Sequence, residues 1–219
     1  MKVAILSANL GAFDKEVDNC MQELSGDVEM TFHRFTDKDF PPCVGLTPRL
    51  QYRIPKMFGW QMFPGYDFYL WLDGSMSMQD PHSLMYFVDR CRDNDIVVFK
   101  HPWRNTILEE TAHIEDHLKK KKPYITTRYK GGFHQQQYEV IKADKGYQDT
   151  VLYASTAFMY KNTPQVRGAL SLWWQHTSRF FTVDQIAMPY VFWKAGLKVK
   201  VIPDNQYHFK YLTLTSKHG

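Results

Sequence analysis

Six short runs of strand-favouring residues recur along the chain: KVAIL (2–6), VEMTFHRFTD (28–37), YDFYLWLD (66–73), IVVFKHP (96–102), VLYASTAFMYK (151–161) and KVKVIP (198–203). Stretches with helical spacing stand between them. They are predicted around 15–25, at 49–63, 81–95, 105–122 and near 134–144, then in TPQVRGALSLWWQHTSR and TVDQIAMPYVFWKAG, up to Gly196. Strands that alternate with helices predict an α/β fold, with a mainly parallel sheet and helices on both faces. With 219 residues, no internal repeat and no low-complexity linker, the prediction is one domain over 1–219.

Composition narrows the function classes. A hydrophobic share of 44% argues against disorder. The net charge of +4 suits an acidic or phosphorylated ligand but does not demand nucleic acid. Cys20, Cys43 and Cys91 are widely spaced with no C-x-x-C, which reads as reduced thiols in a cytosol, bacterial or of a virus's host. The opening MKVAILSANLGAF is broken by Ser7 and Asn9 and reads as a first strand, not a signal peptide. No run approaches a membrane span. Lys119–Lys122 end a helix whose first turn carries Glu109 and Glu110, a charge order that suits the helix dipole. His113 and His117, in HIEDH, have metal-compatible i, i+4 spacing but sit among charges and read as a surface face.

Certain residues fall where an α/β sheet presents its ligand crevice, beyond the strands' C-terminal ends. Asp73 ends the YDFYLWLD run and is followed by Gly74; it reads either as a turn residue or as a carboxylate aimed into the crevice. The first strand's loop, with Ser7, Asn9 and Gly11, offers short side chains and backbone N–H groups to a nucleotide. Arg53 and Lys56 share a helix face and can meet phosphate oxygens. His101 and Arg104 stand between a strand end and a helix start.

The segment HPWRNTILEE (101–110) resembles the H-P-x-R-N-x-I-x-E-E segment of a glycosyltransferase-like family, formerly a domain of unknown function, typified by plant mucilage-related hexosyltransferases. LGAFD (10–14), FTD (35–37), WLDGS (71–75), YKGGF (129–133), STAFMY (155–160) and VDQIA (183–187) follow the same family order. The resemblance implies a Rossmann-like GT-A domain, a nucleoside-diphosphate sugar donor and Mn²⁺ or Mg²⁺. It implies donor contacts from Ser7, Asn9, Gly11, Arg53, Lys56, Asp73, His101, Arg104 and Lys210, and acceptor or sugar contacts from Glu109, Gly132, Trp174 and Gln185. Asp184 and Glu110 would be catalytic, and Asp73 and His208 would hold the metal. Two departures stand out. The usual D-x-D is Asp73-Gly74-Ser75, with one carboxylate, and R-D-Q is Val183-Asp184-Gln185, with Arg179 four residues earlier.

The expected activity is therefore sugar transfer to a hydroxyl of a glycan, with a hydroxylated base in viral DNA as another acceptor. Two alternatives remain: a nucleotidyltransferase of similar architecture, which normally needs at least two metal-binding carboxylates, and a non-catalytic carbohydrate-binding domain built on the chain's aromatic residues.

Overall fold

The computed structural model describes residues 1–15 and 18–214. Its main sheet has six strands. They are β1 (Lys2–Ala8), β2 (Glu29–Phe35), β3 (Phe68–Leu72), β5 (Ile96–Lys100), β6 (Tyr153–Lys161) and β7 (Val199–Ile202), in the order β2-β1-β3-β6-β5-β7. All run parallel except β6, which pairs antiparallel with both β3 and β5. Strand direction has no signature in an apolar run, so the sequence could not single out β6. Two short strands, β4 (Met76–Met78) and β8 (Leu212–Leu214), form a separate antiparallel pair.

The inner strands β1, β3, β6 and β5 are buried on both faces, whereas the edge strands β2 and β7 are largely open, and alternate residues feed two cores. Ala4, Leu6, Tyr69, Trp71, Val98 and Phe158 face one layer. That layer is built from α1 (Pro48–Met62), α3 (Ile107–Lys119), α4 (Pro123–Tyr129), α5 (His134–Lys142), α6 (Pro164–Phe180) and α7 (Asp184–Lys194). Val3, Ile5, Leu70, Leu72 and Phe99 face the other, which holds α2 (Ser83–Cys91) and the β4–β8 pair. In α1, Gly59 allows close contact with β1: a Cβ there would lie 2.2 Å from Leu6 Cδ1.

Two elements differ from expectation. No helix forms over 18–25, and Glu16 and Val17 lie outside the described residues. Tertiary hydrogen bonds take this segment instead. Met78 N–H donates to Asn19 Oδ1 at 2.8 Å, Cys20 N–H to Met78 O at 3.0 Å, and Leu84 N–H to Gln22 Oε1 at 2.8 Å. Second, the polar tail after β7 returns to pair β8 with β4.

Candidate active site

Strand order reverses between β1, which continues outward to β2, and β3, on its other side. Such a switch point opens a crevice beyond the C-terminal strand ends. Asp73 leaves β3 there. Its N–H donates to Thr156 O at 2.7 Å, and its Oδ1 accepts from Trp71 Nε1 at 2.7 Å. The Tyr52 hydroxyl also bonds to Asp73; burial, then this carboxylate, pushes the Tyr52 pKa well above its ordinary value.

Helix α1 begins with Thr47 Oγ1 accepting from Leu50 N–H at 3.3 Å, and Pro48 fits its first turn. Arg53 and Lys56 share a face as expected, but that face is turned inward, and each is 1% exposed. Arg53 Nε lies 2.5 Å from Asp184 Oδ1, and its Nη2 donates to Thr182 O at 2.6 Å. Lys56 Nζ donates to Asp184 Oδ2 at 2.8 Å and to Asp73 Oδ1 at 3.2 Å. Lys56 therefore joins the two carboxylates, and both cations are engaged by acidic partners of the chain itself. Burial alone would raise the pKa of Asp184; Arg53 and then Lys56 outweigh it and hold the carboxyl well below the usual range. Asp184 is an anion in the first turn of α7, and its carbonyl accepts from Trp173 Nε1 at 2.9 Å.

A second group follows β5. His101 is buried, and its Nδ1 accepts from Arg104 N–H at 3.1 Å and from Trp103 N–H at 3.3 Å. Burial, with Arg104 and His113 nearby, pulls its pKa down to about 3, so the ring is neutral. Arg104 Nε donates to Glu110 Oε2 in a tight ion pair. Burial raises the Glu110 pKa against the pull of Arg104. Glu110 thus meets the site through Arg104. Burial and Arg104 lower the His113 pKa to about 4, and the ring packs on His117 at 4.0 Å between centroids. Both histidines are half-buried on α3.

The first loop is fixed from both ends. Asn9 Nδ2 donates to Asp14 O at 2.8 Å, and Gly11, at φ +68°, donates its N–H to Asp37 Oδ1 at 2.8 Å. Ser7 is still inside β1 and fully buried, which closes its hydroxyl off from the crevice. Sequence reasoning missed Asp14. A Cβ on Gly74 would lie 2.6 Å from Asp14 Oδ2 and 2.7 Å from Ala8 O, so this carboxylate sits against the Asp73-Gly74-Ser75 turn. The glycine after Asp73 was the available signal.

Other predicted residues lie apart or act indirectly. A Cβ on Gly132 would lie 2.6 Å from Phe181 O, and Phe133 N–H donates to Phe180 O at 2.8 Å; this turn docks on the end of α6. Trp174 packs on Phe58, so its neighbour Trp173 is the one that touches Asp184. Gln185 is partly buried beside Asp184 in α7. Glu109 is exposed, and its Oε2 accepts from Asn105 N–H at 2.6 Å. Lys210 is exposed and points to Asp80 at 3.9 Å on the α2 side. His208 is exposed at the end of a 3-10 turn, Gln206–His208. Among the described residues, no three His, Cys, Asp or Glu side chains form a group that could hold a metal ion.

A family model described as TOD1/MUCI70, glycosyltransferase-like domain, matches residues 46–218. No curated protein matches the chain. Among solved structures, a glycosyltransferase involved in the glycosylation of the major capsid of PBCV-1 is similar with a TM-score of 0.47 and 12% identity, over 92% of this chain and 81% of that one. No helix among the described residues is long and apolar enough to cross a membrane.

Proposed function

Given that the chain belongs to the TOD1/MUCI70 glycosyltransferase-like family, we propose that it moves a sugar from a nucleoside diphosphate to a hydroxyl of a glycan, in the crevice beyond β1, β3 and β5. The observation that carries this reading is the Lys56 ammonium shared by Asp73 and Asp184 at the strand ends. It ties a carboxylate at the crevice to a buried anion of fixed charge.

Transfer needs a leaving diphosphate neutralised and positive charge supported at the anomeric carbon. Asp184, held ionised by Arg53 and Lys56, is suited to the second task and poorly suited to taking a proton. Arg104, oriented by Glu110, is suited to clamp phosphate oxygens with its planar fork. The nucleotide would lie along the loop from Asn9 to Asp14.

The acidic side chains present do not build a closed metal cage. A hard cation, however, often takes one or two carboxylates together with substrate phosphates. Asp73, with Asp14 against the same turn, fits that limited role, and Mn²⁺ or Mg²⁺ bound there would supply charge neutralisation at the diphosphate. The three free cysteines fit a reducing, cytoplasmic setting.

A thermal-shift screen of nucleoside diphosphates and their sugars, with and without Mn²⁺, tests the reading. One nucleotide series should raise Tm and its sugar should be slowly hydrolysed. Pyrophosphate release would instead support a nucleotidyltransferase, and no response to any nucleotide would refute the proposal.

A further inference from the structure

We propose that Trp103, backed by Tyr207, is the subsite that seats a pyranose ring of the acceptor; this rests on the transfer reading above. Trp103 is 65% exposed at the end of β5. A lone exposed aromatic needs no explanation, but this one is held in place. The Tyr207 ring lies nearly parallel behind it, 5.4 Å between centroids and 17° between planes, and the His101 ring meets it edge-on at 5.8 Å. Tyr207 is anchored in turn. Its N–H donates to Asn205 Oδ1 at 3.0 Å, and the preceding Gln206 is hydrogen-bonded to Thr156, whose carbonyl accepts from Asp73 N–H. The indole is thereby tied to the Asp73 turn while keeping an open face.

Its position separates it from the nucleotide. β1 and β5 run parallel with β3 and β6 between them, three strand spacings or roughly 14 Å. A nucleoside at the β1–β3 switch point, its diphosphate extending toward Arg104, therefore leaves the exposed face of Trp103 to the group that receives the sugar. The face of an indole is electron-rich, and the C–H face of a pyranose, polarised by its oxygens, packs on it without needing a charge. Ring hydroxyls at the rim would meet Glu109 on the exposed first turn of α3, while Arg104, next in the chain and paired to Glu110, stays with the diphosphate.

The test uses ¹⁵N-labelled full chain and its six indole N–H resonances, with Trp103 assigned from the Trp103→Phe spectrum. The probes are methyl glucoside, methyl galactoside and methyl mannoside at tens of millimolar. At least one should shift the Trp103 resonance. Saturation transfer to that pyranoside should persist in Trp103→Phe and vanish in Trp103→Ala. The subsite is refuted if no pyranoside moves the resonance, or if only a nucleoside diphosphate or a single-stranded oligonucleotide does. The two readings fail separately. A pyranoside response without nucleotide binding sinks the donor assignment alone, and nucleotide binding without a pyranoside response sinks the subsite alone.

Discussion

Replacing Asp184 with asparagine removes the charge and leaves the Arg53 guanidinium, 1% exposed, hydrogen-bonded to the Thr182 carbonyl but without the carboxylate that balanced it. Lys56 keeps Asp73 at 3.2 Å. Breaking a buried ion pair from one side costs roughly 3–5 kcal/mol. In a chain of this size that lowers Tm by roughly 6–20 °C. The deficit should depend on pH. The folded pKa of Asp184 is depressed, so its contribution is fully present above the unfolded value of about 4 and is lost as pH falls below it. Calorimetric melts of both proteins should therefore show a wide gap near neutral pH that narrows toward about pH 3. Turnover, assayed well below the variant's Tm, should fall by a factor of about a hundred or more, because asparagine carries no charge to support the anomeric centre. A variant that melts with the wild type, or a gap as wide in acid as at neutrality, would refute the claim that the two cations hold this carboxylate ionised.

His134 is fully buried, and burial, with Arg49 and Arg53 nearby, pulls its pKa down to about 4. A depressed histidine pKa gives stability that is present above the unfolded value of about 6.5 and lost as pH falls toward 4, so His134→Asn should flatten the wild type's decline across that window, by about 3 kcal/mol, in denaturant titrations; an unchanged slope would refute this. Gly74→Ala would press a methyl against Ala8 O and Asp14 Oδ2, and should weaken nucleoside diphosphate binding at least tenfold in titration calorimetry by spreading the two strand ends; undiminished affinity would show that the turn tolerates the shift.

The sheet was readable because its inner strands are apolar on both faces, as YDFYLWLD and IVVFKHP show without any partner in view. The place of Asp73 at the end of a buried strand was readable for a related reason, but the sequence left turn and crevice both open for its carboxylate, and its partners Trp71 and Lys56 come from packing. The fate of Arg53 and Lys56 was not readable. Their spacing fixed a shared face, but what that face meets, Asp184, lies far along the chain. The same limit hid Asp14 against Gly74, Tyr207 behind Trp103, and the extended path of 18–25, where Asn19 and Gln22 bond to β4 and α2 in place of a helix. Local periodicity carries no term for such contacts. The adjacent tryptophans show the divide within one dipeptide: neighbouring side chains on a helix diverge, and packing alone set Trp173 against the Asp184 carbonyl and Trp174 against Phe58.

The most direct test of the central claim is a calorimetric titration of wild type and Asp73→Asn with the nucleoside diphosphate that gives the largest thermal shift, in Mn²⁺. The account predicts one site per wild-type chain and at least a tenfold loss of affinity in a variant that remains folded. Equal affinities in the two proteins would contradict it and return Asp73 to the role of a turn residue.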